Sequence, residues 1–423
     1  MSHKFSPAAI CALLLCLSVC ITTPAQAQTY RVLHAFMATD GAVPFATPTL
    51  DKAGNVYGTT YNYVQGYNWG TVWRVAFHGS GWTFSDLFNL PGNYASYPYG
   101  GVTFGPDGAL YGTTEGSFGK GVVYRVAPPP SFCRSVSCFW LASYLYQYQG
   151  SGDGVHMYGE PVFDAAGNLY ATSYSGGQYS GGTVFKLTPG SGGWTKTVLH
   201  DFGNGNDGKL LFSGLVFDKA GNLYGVTSGG GIPGCYLNEG CGTVYELTPS
   251  GDTWTYNVIY YFHGQPDGTQ PCATLLIDDA GNLYGSATAK GPNGGGTVFE
   301  LSPSAGGWSF NLLYAFEYSY YSPFPGPHGK LVMDPAGTLY GLTTSDGGKN
   351  TGNIFKLTPS GGGYVYTSLY TFCSQPDCSD GGGPLSGLAR DADGNLYGTT
   401  SGGGDSGPAC GNEGCGVVFR FTP

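Results

Sequence analysis

Of the eight Asp-Gly pairs in the 423-residue chain, five fall in one recurring kind of loop: Asp40, Asp153, Asp207, Asp267 and Asp380 each precede a glycine there. Carboxylates recurring in this way could ligate a hard cation such as Ca²⁺, which takes several oxygen ligands, or accept hydrogen bonds from sugar hydroxyls. Asp-Gly is also a turn former, because the carboxylate bonds nearby backbone and glycine adopts positive φ, so turns alone account for the recurrence. No cofactor is expected, with Ca²⁺ the metal these positions could hold. Six further aspartates, Asp51, Asp164, Asp218, Asp278, Asp334 and Asp391, precede a second turn and are read as hairpin caps.

Aromatic clusters offer different chemistry. Tyr61, Tyr63, Tyr67 and Trp69 crowd one segment, Tyr94, Tyr97 and Tyr99 the next, and Tyr318, Tyr320, Tyr321 and Phe324 a third. Such rings stack on sugar faces or on another protein's apolar surface, or else pack over the rim of their own fold. The first two clusters and the five Asp-Gly aspartates form the candidate binding set. For acid–base work the best-suited trio is His156 with Asp153 and Glu160, within one loop. His34 and His200 occupy repeat positions that Tyr314 and Tyr370 fill elsewhere, so packing explains them. No nucleophile elbow, zinc-binding His-Glu-x-x-His helix or phosphate-cradling loop is present, and no catalytic residue is assigned.

The elements that carry these residues follow from composition. With 74 Gly and 27 Pro, about a quarter of the chain interrupts regular structure, which argues against a helical bundle. Charged residues are 10% and aromatics 15%, with 41% hydrophobic residues to supply a large core. A net charge of −10, with 17 basic residues among 27 acidic ones, disfavours nucleic acid and anionic membranes as partners. Residues 1–27 read as a signal peptide: Lys4, an apolar run from Ala8 to Ile21, and Ala25 to Ala27 before a cleavage point at Gln28. No later segment approaches the roughly 20 apolar residues of a membrane span. A monomer, secreted or periplasmic and therefore exposed to oxidation, is expected.

Cysteines agree with that address. Twelve are present, three of them in the leader, and eight of the remaining nine form close pairs. These are Cys133 with Cys138, Cys235 with Cys241, Cys373 with Cys378 and Cys410 with Cys415, read as disulfide staples because zinc spacing is a poorer match and no His lies near. Cys272 has no obvious partner.

The chain repeats itself seven times. A Gly/Ala-containing segment around a (Leu/Val)-Tyr pair places its tyrosine at Tyr57, Tyr111, Tyr170, Tyr224, Tyr284, Tyr340 and Tyr397, at intervals of 54, 59, 54, 60, 56 and 57 residues. A second, alternating segment follows each time, beginning at Gly70, Gly121, Gly182, Gly242, Gly296, Gly352 and Gly416. Two hairpins per repeat make four strands, designated A to D, and four strands recurring in this way describe a propeller blade. The segment Tyr30 to Phe36 resembles strand D, and the chain stops at Pro423 just after a strand C. The first strand can therefore complete the last blade and remove the open edges. The expected fold is all-β, a single seven-bladed β-propeller over residues 28–423, closed by its N-terminal strand. D-to-A and B-to-C connections then share one face, the upper one, which holds the first two aromatic clusters and the Asp-Gly pairs.

Leu110 to Thr114, Tyr397 to Thr400 and the glycine-rich run before each strand C resemble the GloVer tandem repeats of exported bacterial proteins, over almost the whole chain after residue 27. The resemblance implies export and repeat architecture and supplies no catalytic residues. The expected function is a non-enzymatic binding module for glycan or extracellular protein at the upper face. The alternatives are a secreted carbohydrate-active hydrolase or lyase and a structural cell-envelope protein.

Overall fold

The computed structural model describes residues 28–61, 69–117, 120–130, 139–235, 239–319, 326–345, 351–404, 410 and 414–423. The proposed leader, Tyr63, Tyr67, Tyr320, Tyr321, Phe324 and the pair Cys133 and Cys138 lie outside the described residues.

Seven antiparallel sheets succeed one another along the chain. In blade 1 strand A is Thr49–Leu50, B is Val56–Thr60, C is Thr71–His78 and D is Gly81–Asn89, hydrogen-bonded in that order. Strand B recurs at Leu110–Thr113, Leu169–Ser173, Leu223–Thr227, Leu283–Ala289, Leu339–Thr343 and Leu396–Thr400, each in its own sheet. Blade 5 gains a short additional strand, Thr269–Pro271, beside its strand B. Closure is as expected: Thr29–Ala35 pairs antiparallel with Val417–Thr422, from Thr29 opposite Thr422 to Ala35 opposite Val417. The seven-bladed propeller therefore has no free seam between its chain ends.

Each position of the repeated strand B has a physical task. The leucine is fully buried between sheets, as at Leu110, Leu169 and Leu223. The tyrosine hydroxyl donates to the aspartate of the A-to-B turn, 3.0 Å from Tyr57 to Asp51 Oδ2, while Asp51 Oδ1 accepts from the backbone of Ala53 and Asn55. The same set recurs at Asp164, Asp218 and Asp278. The glycine leaves space for the strand C aromatic: a Cβ on Gly285 would lie 2.5 Å from Phe299 Cζ. Blade 3 carries Ala171 there, opposite Phe185.

The two hydroxyl positions after that glycine work in different directions. The first reaches into the next blade, with Thr59 Oγ1 donating to the Gly100 carbonyl at 3.0 Å and Thr172 Oγ1 to that of Ser213 at 2.8 Å. The second bonds strand C of its own blade, Thr60 Oγ1 to Thr71 Oγ1 at 2.7 Å and Thr227 to Thr243 at 2.9 Å. Thr399 Oγ1 donates across the closing junction to the Pro44 carbonyl at 3.0 Å. A buried hydroxyl left without such a partner is costly, so these pairings set both the internal register of a blade and its spacing from the next.

Candidate functional site

The D-to-A connections run inward along the upper face and deliver one side chain from each blade to the axis. Phe45, Tyr99, Tyr158 and Phe212 come from blades 1 to 4, and Cys272, His328 and Leu385 from blades 5 to 7. Every one lies twelve residues before its repeat tyrosine. Together with the residues that follow them they line a cavity of about 70 Å³ at the channel mouth. Two residues further on, the same loops place Thr47, Gly101, Glu160, Gly214, Thr274, Lys330 and Gly387 around the channel wall.

One half of this mouth is aromatic. Trp69 meets Tyr97 edge-on at 5.4 Å between ring centroids, Tyr97 meets Tyr61 at 5.3 Å, and Tyr61 meets Phe45 at 5.2 Å. The contacts continue from Phe45 to Tyr99 at 5.0 Å, from Tyr99 to Tyr158 at 4.7 Å, and from Tyr158 to Phe212 at 5.2 Å with planes 12° apart. The expectation that the Tyr61–Trp69 segment and the Tyr94–Tyr99 segment would be neighbours is met by Trp69, Tyr97, Tyr61 and Tyr99. Tyr94 stands apart as an exposed ring. Phe45, Tyr158 and Phe212 were not singled out from sequence, although their constant offset from the repeat tyrosine was a usable signal.

Glu115, in the B-to-C loop of blade 2, ties the arc together. Its Oε2 accepts from the Tyr61 hydroxyl at 3.0 Å and its Oε1 lies 3.0 Å from His156 Nδ1. Burial raises its carboxyl pKa, but hydrogen bonds from His156, Tyr61 and Tyr158 outweigh this and hold it below the usual range. Burial and the facing Glu115 charge raise Tyr61 in turn. Tyr99 is pushed up to about 12 by burial, with the Cys272 and Glu115 charges adding.

Blades 5 to 7 complete the ring with Cys272, His328 and Leu385. Cys272 Sγ lies 3.9 Å from His328 Nδ1 and is a free thiol that burial pushes up to about 12. Burial pushes the Glu160 carboxyl up to about 7, against the lowering effect of Lys330.

The trio of His156, Asp153 and Glu160 is not assembled. Asp153 Oδ2 accepts from Tyr146 at 2.7 Å and its Oδ1 pairs with Lys196 Nζ at 2.7 Å. His156 turns instead to Glu115, and Glu160 lines the channel. The loop is wide enough that sequence proximity sends its three side chains to three environments.

The five Asp-Gly aspartates bond to strand D and to their own loops. His34 Nε2 lies 2.9 Å from Asp40 Oδ2, and His200 Nε2 lies 3.1 Å from Asp207 Oδ2. Tyr260 donates to Asp267 at 2.6 Å and Tyr370 to Asp380 at 2.7 Å. The following glycines all have positive φ, from 91° at Gly154 to 117° at Gly41, as the turn requires. Four of the five rings bonded to these aspartates stack on the next blade, among them His34 on Phe84 at 3.9 Å, His200 on Tyr256 at 3.8 Å and Tyr260 on Phe310 at 4.5 Å, while Tyr146 lies under the Lys196 ammonium. Among the described residues, no group of three or more His, Cys, Asp or Glu side chains is arranged to hold a metal ion. The three expected cysteine pairs that lie among the described residues, Cys235–Cys241, Cys373–Cys378 and Cys410–Cys415, form disulfides.

Fold and mouth together define a seven-bladed β-propeller with an aromatic half-ring at the entrance to its channel. The chain belongs to the Gloeobacter/Verrucomicrobia repeat family, whose profile matches residues 19–237 and 156–410. Among solved structures it resembles a fungal alcohol oxidase of the AA5 family in complex with copper, at 16% identity and a TM-score of 0.52, covering 94% of this chain and 77% of that one. It also resembles PorZ, a surface component of the type-IX secretion system of Porphyromonas gingivalis, at 14% identity and a TM-score of 0.51, covering 91% of this chain and 48% of that one. A 6-phosphogluconolactonase described as putative, from Bacteroides uniformis, aligns at 14% identity and a TM-score of 0.48, over 76% of this chain and 83% of that one. Likenesses at such identity concern the fold alone. No curated protein matches the chain.

Proposed function

We propose that the protein is an exported, non-enzymatic binding module that takes glycan at the upper channel mouth. The observation that carries this reading is the continuous series of ring contacts from Trp69 to Phe212, spanning four blades, of which Phe45, Tyr99, Tyr158 and Phe212 line the cavity at the mouth. The rings are partly exposed, and hydroxyls and the Glu115 carboxylate lie among them. Sugar faces present C–H surfaces for stacking beside hydroxyls for hydrogen bonding, and this wall offers both complements. The disulfides agree with an oxidising location outside the cytoplasm, and among the described residues no helix is long and apolar enough to cross a membrane.

Affinity electrophoresis through gels containing different polysaccharides tests the proposal. Retardation by at least one glycan, weakened about tenfold or more by Trp69→Ala or Tyr97→Ala at unchanged melting temperature, is the expected result. Mobility unaffected by every polysaccharide, or retardation indifferent to both substitutions, defeats it. A hydrolase or lyase is the second reading, favoured by the Glu160 carboxyl that titrates near neutrality in the channel. New reducing ends or unsaturated products on incubation with polysaccharide would replace the first reading with the second.

A further inference from the structure

We infer that the sugar unit seated over the open channel mouth carries both an ammonium and a carboxylate, the ammonium facing Glu160 and the carboxylate facing Lys330. This rests on the glycan reading of the mouth above it. Glu160 belongs to blade 3 and Lys330 to blade 6, at the same repeat position, ten residues before Tyr170 and Tyr340. Three blades of separation in a ring of seven puts them as nearly opposite as the fold permits. Both line the same cavity, and the Lys330 charge is felt at Glu160.

The two do not touch. No ion pair joins them, and among the described residues neither side chain makes a hydrogen bond or salt bridge. Where this protein buries a lysine between blades, as at Lys196, it pairs it with a carboxylate, that of Asp153. Both side chains are partly exposed, and a carboxylate withdrawn in part from water without a hydrogen-bonding partner carries a cost that a lysine outside ion-pair contact relieves only in part. A ligand bridging the gap with the opposite charge at each end relieves both.

The seat is shaped for the carboxylate. Glu160 lies over Gly101 of the neighbouring blade, where a Cβ would come 2.6 Å from Glu160 Oε1. At the same level Thr47 Oγ1 accepts from Gly387 N at 3.0 Å and Thr274 Oγ1 from Gly214 N at 2.9 Å. Each hydroxyl keeps its hydrogen to donate to sugar oxygens. Tyr99 and Tyr158 supply the ring wall above. A neutral sugar would leave both charges unmatched, and a sugar with one charge would leave the other.

Isothermal titration of the purified protein with muramic acid, glucosamine, glucuronic acid and glucose, and separately with neutral cellotetraose and xylotetraose, tests the inference. Muramic acid, with its free amine and lactyl carboxylate, is expected to bind at least tenfold more tightly than the other three monosaccharides. Glu160→Gln and Lys330→Met should each reduce it to the level of a singly charged sugar. The comparison among sugars needs no variant, so a misfolded mutant does not blunt it. Muramic acid no tighter than glucosamine and glucuronic acid overturns the inference. If a tetraose still binds and is lost in Tyr97→Ala, the glycan reading stands while this one falls. If no saccharide binds, both fall.

Discussion

The rings of Tyr30 and Tyr370 lie 4.0 Å apart between centroids with planes 4° from parallel, across the seam between blades 6 and 7. Tyr30 sits on the strand that enters the last blade from the opposite end of the chain, and its hydroxyl donates to the Asp380 carbonyl at 2.6 Å. Tyr370 in turn donates to the Asp380 carboxylate. One aspartate thus fixes both members of the stack, and the stack holds the closing strand against the neighbouring sheet.

Tyr30→Ala should therefore destabilise the whole ring by about 3 kcal/mol, as loss of a large packed aromatic does. The urea midpoint should fall in a single transition. An unchanged midpoint would show that strand pairing alone holds the seam.

Asp267 is 2% exposed and accepts from the Tyr260 hydroxyl and the His263 backbone N–H. Asp267→Ala leaves these donors unmatched and should cost about 2 kcal/mol. Because the carboxylates of Asp207 and Asp267 are occupied by protein groups, melting should be equal in Ca²⁺ and in chelator. A Ca²⁺-dependent rise that disappears in Asp207→Asn with Asp267→Asn would restore the cation site.

The strand B glycine predicts an asymmetry between blades. Gly285→Ala drives a methyl group into the Phe299 ring and should cost about 1–3 kcal/mol. Ala171→Gly, in the blade that already tolerates alanine, should cost about 1 kcal/mol or less through chain entropy and lost packing. Equal costs would mean that ring clearance is not what the glycine provides.

Glu160 sets a pH dependence of stability. Its carboxyl titrates at about 7 in the fold against an ordinary value of 4.5, so the native state binds the extra proton. The contribution is fully present below about 4.5 and is lost as pH rises through about 7. Glu160→Gln should thus be more stable than the parent at pH 8, by on the order of 1 kcal/mol after discounting for solvent in the channel, and equal to it at pH 4. Lys330, His328, Cys272, Tyr99 and Tyr158 face the same space and stay unchanged in the comparison. Thermal melts across that range check it, and a difference that grows toward acid would reverse the sign.

Strand order, blade number and closure were legible because each rests on local pattern. The repeat tyrosine and its glycine recur at near-constant intervals, alternation marks the strands, and the first strand resembles the missing member of the last sheet. Half of the mouth was legible too, since Tyr61, Trp69, Tyr97 and Tyr99 stand out as clusters. The other half was not. Phe45, Tyr158 and Phe212 are single residues in unlike surroundings, Cys272 and His328 share only their offset from the repeat tyrosine, and Lys330 lies two residues beyond that offset.

Sequence by itself determined that this protein is a ring of seven sheets, because hairpin chemistry and burial patterns act over a few residues and repeat. Only the tertiary structure decided which side chains meet at the axis. Rotation from blade to blade brings Glu160 and Lys330 to one channel across 170 residues of chain. The same rotation carries Asp153 toward Lys196 and away from His156, seated three residues along. Neighbours in a closed ring are set by angle about the axis and depth along it, and neither is written in linear separation.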